Sequence, residues 1–141
     1  MRLILLLATL AVAVPAVAVA SSPGKKELEA HLLGKSEIPK GAPKGKGTVK
    51  ITITGAKVCW KFVSVSGIDK PVVSHIHKGG AKTAAGPVVV PLGDAFRTAG
   101  CTVSTVAADR AIEKNPSGYY VNIHTAKYPN GAIRGQLHMG D

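Results

Sequence analysis

The chain is 141 residues long, with 18 lysines and arginines against 8 acidic residues and a formal net charge of +10. A field this positive favours anionic surroundings such as cell-wall polymer, acidic polysaccharide or lipid head groups. Aromatic residues make up only 4% of the sequence and do not interleave with the lysines, so the stacking platform of a nucleic-acid binder is missing.

Residues 1–20 read as a leader rather than as part of the fold. Met1-Arg2 precedes a run over residues 3–14 that is apolar except for Thr9, and Pro15 and small residues up to Ala20-Ser21 follow. That order of basic start, hydrophobic centre and small-residue exit is that of a secretory signal peptide, with cleavage expected after Ala20. The apolar run is short for a membrane span, so the mature protein is expected to be secreted, extracellular and without stable membrane insertion. Only Arg2 is lost among the charges, which leaves 17 − 8 = +9 on the mature chain. Residues 21–27 form a short leader of that chain and residues 28–141 a single domain.

The domain begins with an alternating strand over residues 28–33, with Leu28, Ala30 and Leu32 on one face. Residues 34–47 follow as an exposed basic loop, because glycine and proline recur there among Lys35, Lys40, Lys44 and Lys46. These four lysines are the expected contact with anionic cell-surface polymer. Residues 48–54 alternate strictly, with Val49, Ile51 and Ile53 facing inward, and residues 58–66 form the next strand with Trp60 and Phe62 on one face. A strand over residues 72–78 runs into a glycine-rich segment, 79–86, and a further apolar run occupies 87–92. Residues 101–103 suit an edge strand, and residues 104–114 suit one short helix capped by Ser104 or Thr105. The spacing ends with strands over 119–125 and 132–139, separated by a turn with Pro129 and Asn130-Gly131. Tyr119, Val121, Ile123, Ile133, Leu137 and Met139 are the expected core positions of this last pair. Short strands with close turn signals and hardly any helical period predict an all-β fold, an antiparallel β-sandwich with at most one short helix.

Cys59 and Cys101 are the only cysteines, and in an exported chain they are expected to pair as a disulfide. A two-thiolate metal site is the rival, but it lacks the close cysteine pairs that zinc sites use.

Several segments, in order, resemble the CHRD family, the domain first named from chordin and also common in secreted bacterial proteins. They are Leu33-Gly34-Lys35-Ser36-Glu37-Ile38-Pro39, His75-Ile76-His77 before a glycine-rich loop, Gly86-Pro87-Val88-Val89, Tyr120-Val121-Asn122-Ile123-His124-Thr125, and Ile133-Arg134-Gly135-Gln136-Leu137. The resemblance implies an immunoglobulin-like or superoxide-dismutase-like β-sandwich. Ala132 stands where the family usually carries glutamate, so any role of that carboxylate is absent. The growth-factor binding of chordin does not carry over to a lone exported domain.

The chemistry concentrates on histidines. His75 and His77 lie two apart on one strand and share a face. By the same parity Asn122 and His124 face away from Val121 and Ile123, as do Arg134, Gln136 and His138 on the next strand. A regular hairpin would place His124 opposite Arg134 and Asn122 opposite Gln136. His75, His77 and His124 are the candidate copper or zinc ligands, since imidazole suits both metals. The competing reading is a hydrogen-bonded clasp, in which His75 and His77 donate to carbonyls of residues 79–86 while Asn122, Arg134 and Gln136 tie the sheet to that loop. Arg134 favours the clasp, since a permanent cation beside His124 opposes a divalent metal unless it turns away. No nucleophile motif is visible and no acid lies in the histidine strands, so the expectation is a binding or structural module rather than an enzyme. Residues 79–86 lack the bridging histidine that a copper–zinc dismutase needs, so activity of that type is not expected.

Overall fold

The computed structural model of the protein describes residues 24–141. The signal-peptide reading of residues 1–20 and the first part of the following leader lie outside the described residues. Alternation decides where the strands begin. Leu28, Ala30 and Leu32 are buried in β1 (Lys26–Leu33), Val49, Ile51 and Ile53 in β2 (Lys46–Thr54), and Val58, Trp60 and Phe62 in β3 (Lys57–Ser66). Most of the residues between them are lysines, threonines and other polar groups that reach outward. The remaining elements are β4 (Pro71–Lys78), β5 (Val88–Pro91), β6 (Ala99–Val103), α1 (Val106–Lys114), β7 (Tyr119–Thr125), β8 (Ile133–Gln136) and β9 (His138–Met139).

The strands pair antiparallel in one nine-stranded sheet of order β5-β4-β7-β8-β1-β2-β3-β6, with β9 added on β1. Between β8 and β1 a single register pair, Leu33 with Arg134, joins the two halves. The halves contribute to one hydrophobic cluster: Val49, Ile51, Trp60 and Phe62 from one side, Ile76, Val90, Val121, Ile123 and Ile133 from the other. Burying each such large side chain contributes roughly 1.5–3 kcal/mol. Residues 92–98 bridge the far edges, since the Leu92 and Phe96 amides donate to carbonyls of β4 (Ser74 at 3.0 Å, Val72 at 2.7 Å) and the Phe62 amide of β3 donates to Thr98 (2.7 Å). The result is a mostly antiparallel, nearly closed β-barrel or sandwich with one short helix.

Several expectations hold in detail. Thr105 caps α1 by accepting from the Ala108 amide at 3.1 Å. Strand β6 lies at the edge of the sheet, and its Cys101 is the register partner of Cys59 on β3, to which it is disulfide-bonded with Cα atoms 4.0 Å apart. A separate observation is that no helix among the described residues is long and apolar enough to cross a membrane.

Two expectations change. Residues 34–47 are not wholly exposed: the four lysines reach solvent, but Gly34, Glu37, Gly41, Ala42 and Gly45 are buried. Gly34 and Gly41 pass so close to other backbone that any Cβ there would collide with it, which explains the glycines. The last strand is also broken at Leu137, whose amide bonds to the Tyr119 carbonyl. Beyond it β9 leaves β7 and pairs with β1, so Met139 is 52% exposed and is not a core residue.

Candidate functional site

The strand period that buries Ile76, Val121, Ile123 and Ile133 sends a second set of side chains to the opposite face: His75 and His77 from β4, Tyr120, Asn122 and His124 from β7, Arg134 and Gln136 from β8. That face is not open to water. His77, Tyr120, Asn122 and Arg134 are buried, and His75, His124 and Gln136 half-buried. Segments 79–86 and 34–42 reach across this layer through the contacts of Arg134, Gln136 and Glu37. All the polar residues singled out from the sequence here, except the terminal His138, therefore share one layer.

Their register differs from a regular hairpin by two positions. Asn122 pairs with Arg134 and Tyr120 with Gln136, while across β4 His75 pairs with Asn122 and Val73 with His124. The turn consumes the extra residues. His124 donates from Nδ1 to the Pro129 carbonyl at 2.8 Å, and Thr125 Oγ1 accepts from the Tyr128 amide at 3.1 Å. Pairing therefore resumes only at Ile123 and Ile133.

This shift takes Arg134 from beside His124 into a nest of carbonyls. Its guanidinium donates to Thr83 (2.7 Å), Ala81 (2.9 Å) and Gly80 (3.3 Å) and lies 4.2 Å from the centre of the Tyr120 ring. Gln136 donates to Gly79 at 2.9 Å and Ser117 at 2.8 Å, and the Gly86 amide donates to Tyr120 Oη at 3.1 Å. Arg134 and Gln136 thus hold the glycine-rich segment as the clasp reading expects. His77 joins them through Gly86, but His75 and Asn122 do not: both turn toward the other histidines.

The histidine geometry follows from donors and acceptors. His77 donates from Nδ1 to the Gly86 carbonyl at 2.8 Å, and its ring stacks on Tyr120 with centroids 4.9 Å apart. A carbonyl only accepts, so Nδ1 carries the proton and the neutral ring has its lone pair on Nε2. That Nε2 is buried and has no hydrogen-bond partner. The Pro129 carbonyl imposes the same tautomer on His124, whose Nε2 lies 3.2 Å from His75 Nδ1 and 3.0 Å from Asn122 Oδ1. One ring nitrogen from each of His75, His77 and His124 falls within 4.8 Å of the others. Burial, and the neighbouring rings His124 and His77, push His75 down to about 4; burial also lowers His77, against the opposing Gly86 hydrogen bond. Both rings are therefore neutral at physiological pH, the state in which imidazole can act as a ligand.

The sequence reading misses Glu37. This residue reaches the layer from the lysine loop, is 3% exposed, and leaves Oε1 without a partner. Burial raises its carboxyl from 4.5 to about 7, with the Arg134 charge and an Asn122 hydrogen bond opposing. The available signal was composition, since Glu37 is the one acid in the 34–47 stretch. Lys35, Lys40, Lys44 and Lys46 are exposed.

No curated protein and no solved structure matches the chain. The CHRD domain family matches over residues 28–137, a span that takes in the whole histidine layer and both segments that cover it. The chain belongs to the CHRD domain family.

Proposed function

We propose that this CHRD domain is an exported binding module that holds copper or zinc at His75, His77 and His124. The observation that carries the reading is tautomeric. Two of the three rings give their Nδ1 protons to backbone carbonyls, which puts their lone pairs on Nε2, and a ring nitrogen of His75 lies within 4.8 Å of both. Carbonyl acceptors behind ligating imidazoles are a common support of metal sites. Three imidazoles with no thiolate suit copper and zinc rather than calcium or magnesium. The electrostatic objection weakens at His124, because Arg134 turns to the carbonyls of residues 80–83, while its charge still reaches His77. The clasp and the metal site are compatible: Arg134 and Gln136 hold the loop, and the histidines need not.

The disulfide fits an exported protein, and the family resemblance supports the immunoglobulin-like or dismutase-like form of the sandwich. The role is binding rather than catalysis. The test is isothermal titration of mature protein with copper and with zinc. Heat corresponding to one ion per chain, lost in the double variant His75→Ala/His77→Ala, is expected; heats equal to those of buffer for both metals overturn the reading. Lys35, Lys40, Lys44 and Lys46 support a second, electrostatic contact with anionic cell-surface polymer, because all four are exposed and none has an acidic partner among the described residues.

A further inference from the structure

The residue that makes the histidine cluster chemically unusual is Asn122. It is 2% exposed, and its Oδ1 lies 3.0 Å from His124 Nε2. Because His124 gives its Nδ1 proton to Pro129, both atoms in that contact are acceptors. In the neutral ring two lone pairs then meet at 3.0 Å and repel, unless a positive centre, a proton or a metal ion, lies close to both. Turning the amide over would place its NH2 toward His124 and remove the clash. Glu37 opposes this turn, because its buried carboxyl lies close enough to Asn122 for the amide NH2 to favour the ionised form. The ionised carboxylate accepts only, so in that form the NH2 faces Glu37 and the oxygen faces the histidines. Amide orientation is assigned from such a network rather than from atom identity.

Glu37 itself has little freedom. It sits against Gly131, where any Cβ would collide with its carboxyl, in the same turn that presents Pro129 to His124. The spacing then has a simple reading. Two donors each about 2.0–2.1 Å from one ion, and roughly 90–110° apart, are about 2.9–3.4 Å from each other. The His124–Asn122 and His124–His75 contacts, at 3.0 and 3.2 Å, both fall in that range.

We propose that Asn122 Oδ1 is a fourth ligand of the site, and that Glu37 is a positioning residue that keeps this oxygen turned toward the histidines. The inference rests on the metal reading above and narrows it. Three imidazoles and one amide oxygen form a neutral set with one hard donor, which selects zinc(II) or copper(II) over the softer copper(I).

The experiment measures zinc(II) and copper(I) affinities by competition with chelators, in the wild type, Asn122→Ala, Asn122→Asp and Glu37→Gln. Asn122→Ala is expected to lose roughly 10–100-fold in zinc affinity with stoichiometry unchanged, and Glu37→Gln about 10-fold through the loosened amide. Copper(I) affinity should change by less than about threefold in both, since a soft ion makes little use of the oxygen. Asn122→Asp, which keeps an oxygen at the same place, should bind zinc at least as tightly as the wild type; it also carries the test if Asn122→Ala does not fold. Wild-type zinc binding that Asn122→Ala leaves intact, or that Asn122→Asp weakens as much as Asn122→Ala, overturns the fourth ligand and leaves the three-histidine site standing. A wild type that binds neither zinc nor copper overturns the metal reading itself.

Discussion

Replacing Glu37 with glutamine probes the electrostatics of the buried layer without removing a histidine. Burial raises the Glu37 carboxyl from 4.5 to about 7, against the pull of the Arg134 charge and the Asn122 amide. The folded chain therefore holds this proton more tightly than the unfolded chain, so stability is lost as pH rises from 4.5 to about 7 and stays lost above that. At about 1.4 kcal/mol per pH unit the window amounts to roughly 3 kcal/mol. Solvent screening makes this an upper figure. Near pH 4 the protonated glutamate and the glutamine are both neutral and nearly the same shape, and the two proteins should be equally stable. Near pH 8 the variant should be more stable by up to about 3 kcal/mol. The measurement is urea unfolding of both proteins at the two pH values with a chelator present, so that histidine titrations common to both cancel in the difference. A difference that does not change with pH, or a variant less stable near pH 8, refutes the reasoning, since it means that the Arg134 charge outweighs the cost of burial.

The Cys59–Cys101 bridge closes a loop with a sequence separation of 42. Replacing both cysteines with alanine should lower the unfolding free energy by roughly 4 kcal/mol, read by chemical denaturation, and a loss below about 1 kcal/mol would mean that the sheet pairing of β3 with β6 constrains the chain without it. Binding to an anionic polysaccharide should weaken steeply with added salt and in Lys35→Ala/Lys40→Ala/Lys44→Ala/Lys46→Ala; affinity that is independent of salt removes the electrostatic contact.

The fold was legible in the sequence wherever one face of a strand is buried and the other wet, as in Val49-Lys50-Ile51-Thr52-Ile53, because period two then appears directly in the residue types. The outward direction of His75, His77 and His124 was legible for the same reason, the helix from its capping residue, and the cysteine pair from there being two cysteines in a chain read as exported. Parity failed for Met139, because the break at Leu137 and the transfer of β9 to β1 depend on which strand passes nearby. Glu37 was not legible as a buried group, because what buries it is the closure of its loop over β7 and β8.

The sequence by itself determined which residues face the second layer, since strand parity needs nothing beyond the order of residues. It did not determine the register within that layer. The turn over residues 126–131 folds His124 onto Pro129 and moves Arg134 two positions away from it, and only the assembled hairpin decides this. Three facts about the layer depend on such tertiary contacts: the tautomers of His77 and His124, the orientation of Asn122 and the distance of the arginine charge. Each is set by carbonyls or carboxyls that only the folded turns and loops bring to the layer, and the balance between a clasp and a metal site is therefore a property of the tertiary structure.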